Sequence, residues 1–182
     1  MKKNISLALK LFLFLLFSEF AALMVTISFS VIFQKVSPVA YTFSQAFSLV
    51  ILVVSVWQCT YMPGFKDSNM VRTGHMQEDI RRGFKIGALS QIPFVLFFAA
   101  AVVFNFNYSV YIVVNSVYWS FLTLFSGSNG TAEVCMRDLG AIKLICIALF
   151  TVIVPAIAGG VYIMGYKGID LHTKLFYKKR EK

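Results

Sequence analysis

The side chains able to do chemistry are few, and their spacing favours none of the familiar reactions. Cys59, Cys135 and Cys146 share no CxxC spacing, and the only histidines are His75 and His172, so neither a metal site nor a disulfide framework can be read. There is no HExxH, no GxSxG, no Walker A loop, and no pair of carboxylates spaced for shared acid and base work. His75 has Glu78 and Asp79 nearby, which fits a solvated loop histidine. The expectation is a chain with no catalytic, cofactor-binding or metal-ligating residues.

What remains is a set of polar side chains inside apolar runs. Glu19 is the most informative, because an ionisable group within a span is costly unless it pairs, faces a cavity or takes up a proton. Helical spacing puts Ala22, Thr26 and Ser30 near its face. The next run carries Ser44, Ser48, Ser55 and Cys59 along one face with Gln45 and Gln58 beside it, and the third carries Ser90 and Gln91. Glu19, Gln45, Ser48, Ser55 and Gln91 therefore form the candidate intramembrane polar site, either a proton- or cation-binding group or a hydrogen-bonded packing seam. Counting back from the short turn near Lys35 and Val36 sets Glu19 level with about Leu52. That predicts a carboxyl turned toward the Ser44 to Ser55 face and largely protonated at neutral pH, since burial disfavours the charged form. Gly83-x-x-x-Gly87 and the pair Gly159 and Gly160 are candidate close-approach points between helices. Pro93 and Pro155 each predict a kink, or the broken helix that transporters use.

The elements that must position these residues follow from composition. Of 182 residues, 58% are apolar and 14% charged, where a soluble domain carries about 25% charged residues, and nineteen are Phe. Lipid is the expected solvent, and the reading is an all-α membrane protein with four transmembrane helices in a bundle. The spans are placed at about 11–33, 39–62, 84–104 and 141–166, long enough for a hydrocarbon core of about 30 Å. The N-terminal run carries Lys10 and Glu19 and stays apolar to Phe33, so it reads as an uncleaved first span rather than a signal peptide.

A formal net charge of +9 raises nucleic acid as a partner, but placement decides against it. Fourteen of the seventeen Lys and Arg fall on one side if the chain crosses four times; Lys35, Arg137 and Lys143 fall on the other. The positive-inside bias then puts both termini, a basic loop at 63–83 and the tail at 167–182 in the cytoplasm. In the loop, Glu78 stands at helical spacing from Arg81 and Arg82, predicting a short surface helix. The outer stretch, 105–140, contains Tyr108 to Phe125, and a full crossing there would reverse the charge bias. It is expected to be a re-entrant or interfacial aromatic segment built on Tyr108, Tyr111, Tyr118 and Trp119. Asn129-Gly130-Thr131 matches a glycosylation acceptor, and the favoured reading is a turn.

In the tail, Lys174, Lys178, Lys179 and Arg180 with Leu171, Leu175, Phe176 and Tyr177 are candidates for lipid-headgroup contact, each cation contributing about 1 kcal/mol at an anionic leaflet, with a partner's acidic surface as the alternative. Two stretches, Arg81-Arg82-Gly83-Phe84-Lys85-Ile86-Gly87 and Gly165-Tyr166-Lys167-Gly168-Ile169, resemble uncharacterised small four-span bacterial membrane proteins. The resemblance implies a bacterial inner-membrane location and no activity. The functional expectation is a non-catalytic multi-pass component of the cell membrane, working through helix packing with a second copy or a membrane partner. The alternative is a small oligomeric transporter or channel with a polar pathway near Glu19.

Overall fold

The computed structural model describes residues 2–32, 38–125 and 134–169, and among these it is helical with no β-strand. Six α-helices follow in order: α1 (Lys2–Ile32), α2 (Pro38–Arg72), α3 (Arg82–Val103), the short α4 (Tyr108–Val114) and α5 (Trp119–Phe125), and α6 (Ala141–Tyr166). α1 contains neither Gly nor Pro, and nothing interrupts its 31 residues, about 46 Å of helix. α1, α2, α3 and α6 are long and apolar enough to cross a membrane. They pack in a ring, α1 on α2, α2 on α6, α6 on α3 and α3 on α1.

Asn4 near the start of α1, Asp67 near the end of α2, Arg82 at the start of α3 and Tyr162 near the end of α6 meet in one hydrogen-bonded group. The four helices therefore alternate up and down, and the start of α1, the α2–α3 loop and the end of α6 share one end of the bundle. Lys66, Arg72, Arg81 and Lys85 are exposed near that end.

α2 departs from the expected span. Pro63-Gly64 reads as a stop after Met62, yet the helix continues to Arg72. Gly64 instead lies where the backbones of α2 and α6 touch, since a Cβ there would run into the carbonyl oxygen of Tyr162. Tertiary contact with α6 thus outweighs the local breaker signal. The true end is Gly74 at φ +74°, where the Gly74 and His75 N–H groups bond the carbonyls of Val71 and Met70, a Schellman cap. The expected surface helix is accordingly the last turns of α2. Glu78 is outside any helix, and Lys85 pairs instead with Asp79 at 2.8 Å. α3 and α6 likewise run through Pro93 and Pro155.

α3 closes with Asn105 in the left-handed region at φ +53°, and the Arg137 side chain donates to the carbonyls of Val102 and Val103. Lys143 donates to the Phe125 carbonyl at the end of α5. Both cations thus cap helix C-termini, where the dipole favours positive charge.

Between α3 and α6 the chain makes a helical hairpin. α4 and α5 are seven residues each, about 10 Å, and the segment bends by 101° at Asn115 and the 3-10 turn Ser116–Tyr118. The Tyr108 hydroxyl donates to the Leu122 carbonyl at 2.7 Å and ties the two arms together. The hairpin enters after α3 ends and leaves where α6 begins, so both its feet stand at the same end of the bundle. Tyr108, Tyr111 and Tyr118 are buried among the long helices rather than spread along an interface. Tyr111 stacks on Phe97 of α3, and Tyr118 and Phe121 lie against Phe150 of α6. The outer face of the bundle is apolar, with Phe17, Phe20, Phe43, Leu96 and Ile145 all exposed. That pattern is compatible with membrane insertion.

Candidate functional site

At the buried tip of the hairpin the α-helical ladder is broken by Asn115 and the 3-10 turn, and the N–H and C=O groups freed there need partners. Two side chains from the long helices supply them. The Val117 N–H donates to Glu19 Oε2 at 2.8 Å, and the Ser116 hydroxyl donates to the Glu19 backbone carbonyl and lies 3.3 Å from the same Oε2. From α2, Gln45 Nε2 donates to the Val117 carbonyl at 2.6 Å while Gln45 Oε1 accepts the Ser120 N–H at 3.0 Å. One contact needs a donor and the other an acceptor, which fixes the orientation of the amide. Glu19 sits thirteen residues before the end of α1, roughly 20 Å along the axis, so the hairpin is held well inside the bundle.

The register expected between α1 and α2 and the partner expected for Glu19 fare differently. Glu19 and Leu52 line the same cavity, and Thr26 and Ser44 hydrogen-bond across the two helices at 3.2 Å, as the short turn requires. Glu19, however, does not bond the serines of α2. Ser48 donates to the Ser44 carbonyl of its own helix, and Ser55 is buried outside the cavity lining. The hairpin tip has come between, offering backbone N–H groups to the Glu19 carboxyl, while the Ser48 hydroxyl is already committed to its own helix.

No protein-family model, curated protein or solved structure matches this chain. Its chemistry must therefore be read from its own atoms.

Next to the hairpin tip is a cavity of about 20 Å³, room for one water-sized body. Glu19, Gln91, Asn115, Tyr118 and Thr151 give it polar atoms, and Phe94, Tyr111 and Phe150 give it aromatic walls. Tyr118 Oη is the one buried side-chain oxygen or nitrogen among the described residues without a hydrogen-bond partner. Among the described residues no three His, Cys, Asp or Glu lie together as they would around a metal ion.

A second polar cluster lies at the basic end, and sequence reasoning missed it. The Arg82 guanidinium forms a buried ion pair with Asp67, with side-chain exposures of 5% and 2%. Arg82 Nε also donates to Asn4 Oδ1 at 2.8 Å, and the Tyr162 hydroxyl donates to Asp67 Oδ2 at 2.9 Å. Four helices are thereby joined at one point. Arg82 thus belongs to the interior rather than to a solvated basic loop.

Of the proposed close-approach glycines, three are at helix contacts. A Cβ on Gly83 would collide with Tyr162, one on Gly87 would lie 2.7 Å from Pro155 Cα, and one on Gly159 would meet the Phe84 ring. Gly160 differs, with nothing within 4 Å of its Cβ position. Two further close-approach points, Gly64 and Gly165, join α2 to α6. Lys174, Lys178, Lys179 and Arg180 lie outside the described residues, as does the Asn129-Gly130-Thr131 turn.

Proposed function

We propose that this chain is a four-span membrane protein with a re-entrant outer hairpin, oriented with its basic end in the cytoplasm. We further propose that it acts as a non-catalytic component, packing through its helices with a second copy or a membrane partner. Supporting the membrane assignment, the outer face is apolar while Glu19 and Gln45 turn inward to satisfy the hairpin backbone. A break in the α-helical ladder is tolerated at membrane depth when it is enclosed by protein in this way. The positive-inside bias orients it: the exposed Lys66, Arg72, Arg81 and Lys85 cluster at one end, while Arg137 and Lys143 at the other cap helices.

The observation carrying the packing role is Gly160. Six glycines lie in described helices; Gly64, Gly83, Gly87, Gly159 and Gly165 contact a neighbouring helix of this chain, and Gly160 faces outward with its Cβ position open. A glycine on an otherwise apolar lipid-facing helix permits the backbone approach on which helix association in membranes depends.

Purification in mild detergent followed by mass determination tests the role. The expected result is a homo-oligomer or a co-purifying membrane protein, dissociated by Gly160→Ile without loss of thermal stability. A lone monomer with no companion would overturn it. Orientation is tested separately with reporter fusions after residues 74 and 128, which should report opposite sides.

A further inference from the structure

We propose that the cavity beside the hairpin tip is a binding site for a single dehydrated alkali cation, Na+ or K+. Its five polar side chains come from four elements of the fold: Glu19 from α1, Gln91 from α3, Asn115 and Tyr118 from the hairpin, and Thr151 from α6. Each can present an oxygen. Glu19 accepts from the Val117 N–H and from Ser116 at the tip, and its two carboxyl oxygens carry further lone pairs. Asn115 commits Nδ2 to the Tyr111 carbonyl at 3.0 Å, so the rest of its amide is the carbonyl oxygen. Thr151 donates its proton to the Ala148 carbonyl at 2.7 Å and retains its lone pairs. Tyr118 Oη is buried with no protein partner at all, an expensive state for a hydroxyl unless something else meets it.

Size and charge select the ligand. A cavity of about 20 Å³ has room for one water-sized body. An oxygen donor set with one carboxylate suits a hard cation, and a single positive charge neutralises the single carboxylate in the lining. A divalent ion would remain with an uncompensated charge in an apolar interior, which is strongly unfavourable. A break in a helical hairpin enclosed by long helices is also the kind of place where membrane proteins hold dehydrated cations, because side chains and unwound backbone replace the hydration shell.

The site goes beyond the packing role and is independent of it, since it lies inside one chain. The test is thermal unfolding of the purified full-length protein in detergent, titrated with NaCl, LiCl or KCl against choline chloride at constant ionic strength. A ligand that binds only the folded state raises Tm in equal steps for each tenfold increase in concentration above half-saturation. Wild type should show this response to Na+ and K+, and none to choline. Glu19→Gln keeps the acceptor for Val117 and should fold with the wild-type Tm in choline chloride, but lose the Na+ response. Tyr118→Phe, which removes only the unpartnered oxygen, should shift half-saturation to at least tenfold higher Na+. Identical Tm values in all four salts would overturn the site, as would a Na+ response undiminished in Glu19→Gln. Oligomer mass is read in the same samples and reports on the packing role alone.

Discussion

The ion pair between Asp67 and Arg82 offers the sharpest quantitative expectation. Both side chains are almost wholly enclosed, at 2% and 5% exposure, and Asn4 and Tyr162 bond the same two groups. Replacing Arg82 by Met removes the charge facing Asp67, and replacing Asp67 by Leu does the same to Arg82. Breaking a buried pair from one side typically costs about 3 to 5 kcal/mol, because an uncompensated charge remains in a low-dielectric site. For a chain of this size that corresponds to a fall in Tm of about 6 to 20 °C on the scale established for soluble proteins. The double variant Asp67→Leu with Arg82→Met leaves neither charge behind. It should recover to within about 1 kcal/mol of wild type, since apolar replacement of a whole buried pair is often neutral or better. The cycle would be measured by reversible unfolding in mixed micelles with increasing denaturing detergent. Strict additivity of the two single losses, or single losses below about 1 kcal/mol, would refute the claim that the two charges depend on each other.

Two further expectations concern the hairpin and the glycine contacts. In choline chloride, Glu19→Leu should cost about 1 to 3 kcal/mol because the Val117 N–H loses its acceptor, whereas Glu19→Gln should be nearly silent; equal damage from both would show that the side chain acts through charge. Gln45→Leu should destabilise comparably and make a cysteine placed at Ser116 more reactive toward a thiol reagent, with unchanged reactivity counting against the role of Gln45 at the tip. Gly87→Ala should lower stability by about 1 to 3 kcal/mol through overpacking against Pro155 and Ala158, while Gly160→Ala should leave Tm unchanged or raised. Similar effects at both positions would place the helix contacts elsewhere.

The long helices were legible because apolar runs of the right length carry their own signal, and the α1–α2 register was legible because a short turn fixes it. Thr26 opposite Ser44 and Glu19 beside Leu52 follow from counting residues. The end of α2 was not legible. Pro63-Gly64 is a local breaker signal, and the contact that overrides it involves Tyr162, about a hundred residues away. The partner of Glu19 was hidden for the same reason, since Ser116 and Val117 lie on an element whose insertion no periodicity announces. Asp67 and Arg82 were the hardest to see. Each stands in a polar stretch that looks solvated, and nothing in their spacing of fifteen residues marks them as an enclosed pair.

The polar groups of this protein occur in two layers with different physical tasks. At the basic end, one ion pair and two further hydrogen bonds join α1, α2, α3 and α6 at a single height. Deeper in, Glu19 and Gln45 join only α1 and α2, and they do so through the backbone of a third element. In the lipid environment proposed above, the hydrophobic effect would not draw helices together, and small-residue contacts and hydrogen bonds would set the arrangement. The glycines supply close approach along α6, but they do not fix which way the α4–α5 hairpin points. Gln45 does, because its amide satisfies a carbonyl and an N–H of the tip at once, and a hairpin withdrawn from the bundle would leave both groups without that partner. The bend at Asn115 is therefore specified from α1 and α2, seventy residues or more upstream, rather than by the sequence of the hairpin alone.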